Sequence, residues 1–329
     1  MTGYCILCAL SPPSVMKLPV TFLSFSLGVA LANPLVIKRA STGDKATIGY
    51  ATLSGGTTGG GSAAPVTVTS LSALKAAVAS STSKVVIVSG TITGNEVVKV
   101  GSNTSILGKS GATLSGIGLR VLEVSNVIVR NLKITKVLAD AGDHIAIQAS
   151  NRVWVDSVEL WVDHDHDQDY YDGLLDITHG AYAISITNSY LHDDWKGSLV
   201  GHSDSNESED VAIQVTYAYN KWYNLNTRAP YIRFGHGHIF NSYYLSINDA
   251  ITGVAGAQLL VQSNVFESLD ISLYTSSDAC ADATGNLFSG IVDHTPCTLV
   301  RSAPYAYSIM PASSVKAYVN ANAGAKLNF

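Results

Sequence analysis

The sequence predicts an all-β protein built as a right-handed parallel β-helix, a solenoid whose long loops form a cleft. Short runs of β-branched residues, each followed by Asn or another small polar residue, recur from about residue 85 onward. Four of these Asn residues are 21, 23 and 22 residues apart: Asn220, Asn241, Asn264 and Asn286. Strands repeated at this period, without intervening helices, are typical of a parallel solenoid.

Asn also suits the turns between such strands. Its side chain tolerates left-handed backbone geometry, and its amide bonds to nearby backbone groups. Amides stacked one per coil would form an internal ladder. The alternative fold is a β-sandwich, in which Asn marks ordinary hairpin turns. The near-constant spacing and the scarcity of Asn-Gly pairs favour the solenoid.

The first element along the chain is a candidate secretory signal. Residues 16–32 begin with Met-Lys, continue as an apolar stretch and end in Ala-Leu-Ala, as a cleavable signal does. The stretch is short for a membrane span, which needs about 20 residues. We therefore expect residues 1–32 to be a pre-sequence, with translation starting at Met16. A propeptide would follow over residues 33–39, ending in the dibasic pair Lys38-Arg39.

The remaining residues, 40–329, are expected to form one secreted, extracellular domain. A helix is predicted over residues 71–79, with Ser70 or Ser72 as its N-cap, and would cover the N-terminal end of the solenoid. The glycine-rich run at residues 55–61 before it is predicted to be a loop. A second helix over residues 313–322 would pack outside the coils.

Composition and cysteine usage narrow the function further. The 329-residue chain carries a net charge of −5, which does not fit a nucleic-acid partner. Outside the pre-sequence only Cys280 and Cys297 remain, and an even pair in a secreted chain predicts a disulfide. The sequons at Asn103 and Asn206 are candidate glycosylation sites.

Charged residues gather in the central third of a chain that is only 14% charged. Carboxylates hold hard cations such as Ca²⁺, whereas Lys and Arg bind carboxylated ligands. If Asp143 and the Asp172–Asp176 pair lie on adjacent coils, the three acids would converge and need a cation. The alternative is that they are solvated loop acids. The basic members of the set are Lys196, Arg228 and Arg233.

Two other acidic segments have competing interpretations. Residues 163–169 read Asp-His-Asp-His-Asp-Gln-Asp, but no Gly occupies the sixth position and no Glu closes an EF-hand loop, so a solvated loop is favoured. The pair Asp193-Asp194, with Gly-His-Gly at 235–237, matches fragments of the polygalacturonases. The Asn-Thr-Asp signature of those hydrolases is missing.

Ordered motifs over residues 45–300 resemble the pectate lyases of polysaccharide lyase family 1, in their secreted fungal form. They include Trp195-Lys196-x-x-Leu-Val-Gly-His-Ser-Asp204, Asp172-Gly-Leu-Leu-Asp-Ile177 and Arg228-x-Pro-x-x-Arg-Phe-Gly235. The resemblance implies calcium-dependent β-elimination of polygalacturonate. It also implies that Asp143, Asp172 and Asp176 are calcium ligands, that Arg228 is the base, and that Lys196 and Arg233 bind substrate carboxylates.

The resemblance further implies endo-cleavage of (1→4)-α-D-galacturonan to 4,5-unsaturated oligogalacturonides by a monomer with no membrane partner. Trp195, Trp222 and Tyr231 are candidates for lining substrate subsites. Two alternatives are pectin lyase activity on methyl esters and a non-catalytic glycan-binding β-helix. Retention of the acids argues against the first, because a neutral ester offers calcium no carboxylate. Retention of the basic residues as well argues against the second.

Overall fold

The computed structural model describes residues 1, 38–297 and 302–329. The predicted pre-sequence, apart from Met1, and propeptide residues 33–37 lie outside the described residues. The dibasic pair is itself a short strand, β1 (Lys38–Arg39), which pairs in parallel with β25 (Leu327–Asn328). Processing after Arg39 would therefore require this two-stranded ladder to open.

The chain winds as a parallel β-helix with three walls, which confirms the predicted fold. Wall 1 is a ten-stranded parallel sheet in which each strand pairs with those of the neighbouring coils. Its strands are β2 (Pro65–Val68), β3 (Lys84–Val88), β5 (Thr104–Gly108), β7 (Ser125–Arg130), β10 (Asn151–Asp156), β13 (Tyr182–Thr187), β16 (Gln214–Ala218), β19 (His236–Phe240), β21 (Gln258–Gln262) and β23 (Cys280–Thr284).

Walls 2 and 3 belong to one thirteen-stranded sheet. Four long strands run through both walls: β4 (Thr91–Lys99), β6 (Thr113–Leu122), β20 (Tyr243–Val254) and β22 (Val265–Thr275). In the central coils each long strand is replaced by two shorter ones. Wall 2 then contains β8 (Lys133–Thr135), β11 (Glu159–Trp161), β14 (Tyr190–Lys196) and β17 (Lys221–Thr227). Wall 3 contains β9 (Ile145–Gln148), β12 (Leu175–Thr178), β15 (Leu199–Val200), β18 (Tyr231–Arg233) and β24 (Ile291–Asp293).

The interruptions between walls 2 and 3 form what we call the corner. Four consecutive coils leave the sheet there, through residues 136–144, 162–174, 197–198 and 228–230. The second insertion is the longest, and it explains why the repeat from Ser157 to Asn188 is more than 30 residues long. The following repeat is as long because residues 201–213 separate β15 from β16. Because the coils stack in register, residues at the corner come from distant positions but lie side by side.

The interior of the helix is a stack of apolar side chains in register. On wall 1 a fully buried row runs through Val127, Val153, Ile184 and Val215. On wall 2 a stack of rings runs through Trp222, Tyr244, Phe266 and Phe288, with centroids 4.5–5.9 Å apart. Alternation of period two places these side chains inside and their neighbours outside.

The turn from wall 1 to wall 2 contains the polar ladder that the Asn spacing predicts, but over two positions rather than one. The first position is left-handed and holds Asn131, Ser157, Asn188, Tyr219, Asn241, Ser263 or Gly285. The second position points inward and holds Ser189, Asn220, Ser242, Asn264 and Asn286 in successive coils. Each of the last four accepts a hydrogen bond from the backbone N–H of the member one coil before it, at 2.8–3.2 Å.

Treating all the Asn residues as one row was therefore wrong. Asn241 belongs to the left-handed row, whereas Asn220 and Asn264 belong to the ladder. The sequence separation along the ladder is a constant 22 residues from Asn220 to Asn286. The spacings of 21 and 23 residues in the sequence arise because Asn241, which belongs to the left-handed row, was counted with the ladder.

The predicted helices are present and cover the coils. Helix α1 (Leu71–Val78) is capped by the Ser70 side chain, which accepts from the Ala73 N–H, and it buries Leu74 and Val78 against the first coils. Helix α3 (Ala312–Asn322) packs its buried face on Tyr243 and Val265, outside wall 2. A third, one-turn helix, α2 (Glu207–Asp210), was not predicted. None of the helices within residues 38–297 and 302–329 is long and apolar enough to cross a membrane.

The disulfide predicted from the cysteine count is present. Cys280 in β23 is bonded to Cys297, which lies 17 positions later in the sequence, and their Cα atoms are 4.9 Å apart. The bond closes the segment that contains β24 against the last described coil of wall 1.

The ladder makes a testable prediction about stability. Asn264 is fully buried, and Asn264→Ala removes the acceptor of the Ser242 N–H and one hydrogen bond to the Ile239 carbonyl. Each buried unpaired group costs about 1–3 kcal/mol, so the thermal midpoint should fall by roughly 4–10 °C. Asn320→Ala on the exposed face of α3 is the control. A shift no larger than that of the control would show that the ladder does not stabilise the coils.

Candidate active site

The charged residues singled out in the sequence meet at the corner and on the adjacent part of wall 3. Asp143 lies in the first corner insertion and precedes β9, as expected. Asp172 ends the second insertion, and Asp176 lies in β12, in register with Ala146 one coil earlier. Lys196 is the last residue of β14, and Arg228 opens the turn between β17 and β18. Four consecutive coils thus contribute to one place.

Gly173 lies between two of the carboxylates, and its lack of a side chain keeps them accessible to each other. A Cβ built on Gly173 would lie 2.9 Å from Asp176 Oδ1 and 3.2 Å from Asp143 Oδ1. Both oxygens therefore face the same small space. Asp143 Oδ1 is shielded from solvent and has no hydrogen-bond partner among the described residues, whereas Asp176 Oδ1 accepts from the Leu199 N–H at 2.9 Å.

The pKa values of these carboxyls reflect their crowding. Burial raises the pKa of Asp143 well above its usual value, and the nearby charges of Asp176 and Asp172 raise it further. Burial also raises the pKa of Asp176 to about 7, although the Leu199 N–H and the charges of Arg228 and Lys196 oppose the shift. Two carboxylates that resist ionisation in a partly open site are what a bound cation would relieve.

The donor set fits Ca²⁺, which prefers carboxylate oxygens. The unpartnered Asp143 Oδ1 and the space above Gly173 supply two of the features that such a site needs. Across residues 38–297 and 302–329, no three acidic, His or Cys side chains are already arranged at metal-binding distances. Asp172 is near enough for its charge to act on both Asp143 and Asp176, and its Oδ1 lies 3.3 Å from Lys196 Nζ.

The two cations at the corner have different surroundings. Lys196 is largely enclosed, and its ammonium contacts Asp172 and, at 3.6 Å, Asp169. Arg228 has a left-handed backbone, and its carbonyl accepts from the Ser198 N–H at 2.6 Å. A Cβ on Gly197 would come within 2.5 Å of that carbonyl, so Gly197 permits this close packing. The Arg228 guanidinium makes no hydrogen bond or ion pair with the described residues.

Arg233, unlike Arg228, forms an ion pair with an acid. Its Nε donates to Asp204 Oδ1 at 2.5 Å, and its Nη1 donates to the Gly201 carbonyl at 3.1 Å. The guanidinium also lies over the Tyr231 ring, 4.7 Å from its centroid. Asp204 is 79% exposed, and an exposed ion pair of this kind contributes little. A carboxylate ligand could replace Asp204 at small cost.

The three candidate subsite aromatics do not share one environment. Trp195 is partly exposed, and its Nε1 donates to the His166 carbonyl in the 162–174 insertion at 2.9 Å. Tyr231 is partly exposed beside Arg233. The expectation for Trp222 was wrong, because its ring is fully buried in the aromatic stack of wall 2. Residues 164–170 of the acidic insertion are exposed, as a solvated loop would be.

Asp194 is a buried acid whose position the sequence did not reveal. It is 1% exposed, and Oδ1 accepts from the Lys196 N–H at 3.1 Å, so it holds the backbone that presents Lys196. Its other oxygen has no partner among the described residues. The neighbouring Asp193 bonds instead to His192 and Asn224. The two acids therefore do not form the open pair that a hydrolase of the polygalacturonase type would use.

The two sequons lie outside the corner. The Asn103 amide donates to the Ser81 carbonyl at 3.0 Å and accepts from Asn126 at 2.9 Å. The Asn206 amide precedes α2 and donates to Glu209 at 2.8 Å. In both cases the nitrogen that a glycan would modify already donates a hydrogen bond. Glycosylation at either position stays a prediction.

The family model described as pectate lyase matches residues 16–328. A pectate lyase A of Aspergillus niger is 50% identical over 309 residues, covering 92% of this chain and 95% of the relative. A probable pectate lyase A of Aspergillus fumigatus is 50% identical over 323 residues, covering 95% and 100%.

Solved structures agree with these sequence matches. A pectate lyase from Bacillus sp. N165, crystallised in complex with trigalacturonate, superposes with a TM-score of 0.77 at 27% identity. The match covers 85% of this chain and 98% of that one. Pectate lyase II from Xanthomonas campestris superposes with a TM-score of 0.74 at 26% identity, with the same coverage.

The burial of Asp194 predicts a pH-dependent stability. Burial raises its pKa to about 7, opposed by hydrogen bonds from the Lys196 and Trp195 N–H groups. Because an unfolded Asp titrates near pH 4, the folded protein holds the extra proton, and stability is lost as the pH rises from about 4 to 7. Asp194→Asn removes that loss while keeping an oxygen acceptor.

We expect Asp194→Asn to raise the thermal midpoint by roughly 3–10 °C at about pH 8 and to leave it nearly unchanged at about pH 4. The exposed Asp165→Asn is the control for a general charge effect. An equal shift at both pH values would contradict the assignment of a raised pKa to Asp194.

Proposed function

The chain belongs to the pectate lyase family, polysaccharide lyase family 1, and is a pectate lyase; from this premise we propose how it acts. It cleaves polygalacturonate by calcium-dependent β-elimination within the chain and releases 4,5-unsaturated oligogalacturonides. The observation that carries this proposal is the meeting at one corner of three acids, Asp143, Asp172 and Asp176, with Lys196 and Arg228.

The anionic substrate is supported by the cations of the corner and by a relative. The Arg228 guanidinium has no protein partner among the described residues, and the exposed ion pair of Arg233 can exchange Asp204 for another carboxylate. The related Bacillus sp. N165 pectate lyase was crystallised with trigalacturonate. By analogy, uronates of a polygalacturonate chain would bind beside Lys196 and Arg233.

Asp143, Asp172 and Asp176 would hold Ca²⁺. When bound, the cation relieves the repulsion between the carboxylates and withdraws electron density from the uronate carboxylate. This assignment is supported by the unpartnered Asp143 Oδ1 and by the space above Gly173. Lys196 would then be released from Asp172 and become available to the substrate.

Elimination begins with removal of the C5 proton, which is α to the carboxylate. We assign this step to Arg228. The C5–H electron pair becomes the C4=C5 double bond, and the C4–O bond breaks. The glycosidic oxygen leaves with the residue bonded through C1 and takes a proton from solvent to become its reducing-end hydroxyl. Lys196 and Arg233 bind the carboxylate on which negative charge accumulates, and so they stabilise the transition state.

Arg228 must be neutral to accept a proton. In water a guanidinium is deprotonated only at strongly alkaline pH. Asp176 is near enough to Arg228 for their charges to interact, and a bound cation would neutralise Asp176 in place of the guanidinium. An alkaline optimum follows.

The two alternatives lack comparable support. Pectin lyase activity on neutral esters would give the three crowded carboxylates no role, because an ester has no carboxylate for calcium to bind. A non-catalytic glycan-binding role would leave the unpartnered Arg228 unexplained. Endo-cleavage is supported by wall 3, whose outward-facing residues continue in register on both sides of Asp176.

Secretion is also part of the proposal. The apolar stretch at residues 16–32 has the composition of a signal, and the Cys280–Cys297 disulfide is typical of an oxidising compartment. Cleavage after Arg39 would leave a mature domain at residues 40–329.

Calcium dependence is tested with purified protein on polygalacturonate at alkaline pH, by following the ultraviolet absorbance of the unsaturated product. We expect a rise with calcium and none with EGTA. Asp176→Asn and Asp143→Asn should require more calcium, whereas the exposed Asp165→Asn should not. EGTA-insensitive cleavage that is faster on methylated pectin would indicate a pectin lyase. New reducing ends without the absorbance would indicate hydrolysis.

The role of Arg228 is tested by Arg228→Lys, which keeps the charge but changes the base. We expect kcat to fall roughly 100-fold or more, with KM nearly unchanged because Lys196 and Arg233 still bind the substrate. Arg152→Lys, on wall 1, is the matched control. A near-wild-type rate of Arg228→Lys at about pH 9 would overturn the assignment.

A further inference from the structure

A row of outward-facing residues crosses wall 3 through the coil of Asp176. In this row each residue is the register partner of the next: Lys99, Arg120, Ala146 and Asp176. The residues on either side of each position are buried, including Val98, Leu119, Ile145 and Leu175. Since neighbouring parallel strands are about 4.8 Å apart, Arg120 is about 10 Å and Lys99 about 14 Å from Asp176 along the axis.

Two cations directly opposite each other on neighbouring strands repel and destabilise the sheet. No acid among the described residues forms an ion pair with either cation. Lys99 is exposed and has no hydrogen bond or ion pair there. Arg120 uses only its Nε, which donates to Gln148 Oε1 at 2.8 Å. This bond orients the guanidinium and leaves both terminal nitrogens free for a bidentate ligand.

Arg120 also lines a cavity shared with the candidate calcium ligands. The cavity has a volume of about 330 Å³, and its lining includes Arg120 and Gln148 together with the acids Asp140, Asp143 and Asp172. The intervening residue of the row is Ala146, whose small side chain keeps the passage open. Although acids line this cavity, none pairs with Arg120.

On the other side of Asp176 the row differs in charge. Beyond Asp176 the register partners are Leu199, Tyr231 and Thr252, none of them charged. A larger cavity of about 650 Å³ lies on that side, and its charged residues are all acidic: Asp204, Glu207 and Asp278. The cations of this row therefore lie only before Asp176, in β4 and β6.

We propose that Lys99 and Arg120 form a carboxylate-binding extension of the active site, taking uronates two and three coils away from Asp176. A (1→4)-linked pyranose ring is about as long as one coil is tall, so a chain laid along the axis presents roughly one carboxylate per coil. Arg120 binds one carboxylate in bidentate fashion, and Lys99 binds the next. This inference rests on the proposed polygalacturonate specificity.

The test compares Arg120→Gln, Lys99→Gln and the double variant with Lys109→Gln, an exposed lysine outside the row. On polygalacturonate we expect KM to rise roughly three- to tenfold for each single variant, with kcat unchanged. Arg120→Lys should lose less than Arg120→Gln. Lys99→Gln should leave trigalacturonate kinetics unchanged, because a trimer that reaches the coil of Asp176 does not extend to Lys99.

Methylation of the substrate distinguishes a loss of charge recognition from general damage to the protein. On partly methylated pectin, which still offers free carboxylates to the active site, the variants should differ less from the wild type than on polygalacturonate, because esters remove part of the charge that Arg120 and Lys99 bind. Equal KM values for all variants and Lys109→Gln on polygalacturonate would overturn the inference. So would an equal rise in KM on the methylated substrate.

Binding to immobilised polygalacturonate, measured by affinity electrophoresis, keeps the two proposals distinct. If the wild type binds but does not cleave, the proposed function fails, and the retardation of the variants still tests Lys99 and Arg120. If the wild type cleaves and the variants are retarded like Lys109→Gln, only the inference fails.

Discussion

The register between consecutive coils is the constraint on which both the fold and the site depend. A slip of one residue would turn the apolar set outward and the charged set inward, because the side-chain period of a strand is two. The polar ladder prevents such a slip. Asn220, Ser242 and Asn264 each accept from a buried backbone N–H one coil earlier, so a slip would break bonds that no water can replace.

That register determines where the charges lie. Asp143, Asp172, Lys196 and Arg228 come from four successive coils and occupy the same corner, where insertions interrupt the sheet. The coils around them are rigid and apolar, so the corner can hold Asp143 and Asp176 at raised pKa values without unfolding. Stability from the core thus offsets a cluster of acids that is unfavourable without a cation, a common relation between stability and function.

The same register gives wall 3 an electrostatic direction. In the row through Asp176, Lys99 and Arg120 occupy the coils before Asp176 and have no ion pair with the described residues, whereas the register partners after it are uncharged. The cation on that later side, Arg233, is paired with Asp204. An anionic polymer would therefore meet a different electrostatic environment on each side of the reacting bond. This difference can orient the polymer more strongly than the apolar contacts of the wall, because those continue on both sides.

The sequence by itself determined the parallel β-helix, the Ser70-capped helix α1, the outer helix α3 and the Cys280–Cys297 pair. Each depends on a short-range or compositional signal. These signals are the strand repeats, the N-cap and apolar face of a helix, and the presence of two cysteines outside the pre-sequence. The convergence of the acids followed from spacing and from resemblance to a family.

Only the tertiary structure decided which residue faces which. It divided the Asn residues between two rows, buried Trp222 and Asp194, joined Arg233 to Asp204 and aligned Lys99 with Arg120. The physical reason is that a contact between coils depends on the length of every insertion between them. Coil lengths range from the constant 22 residues of the ladder to more than 30 where loops are inserted, so the sequence period does not specify the register.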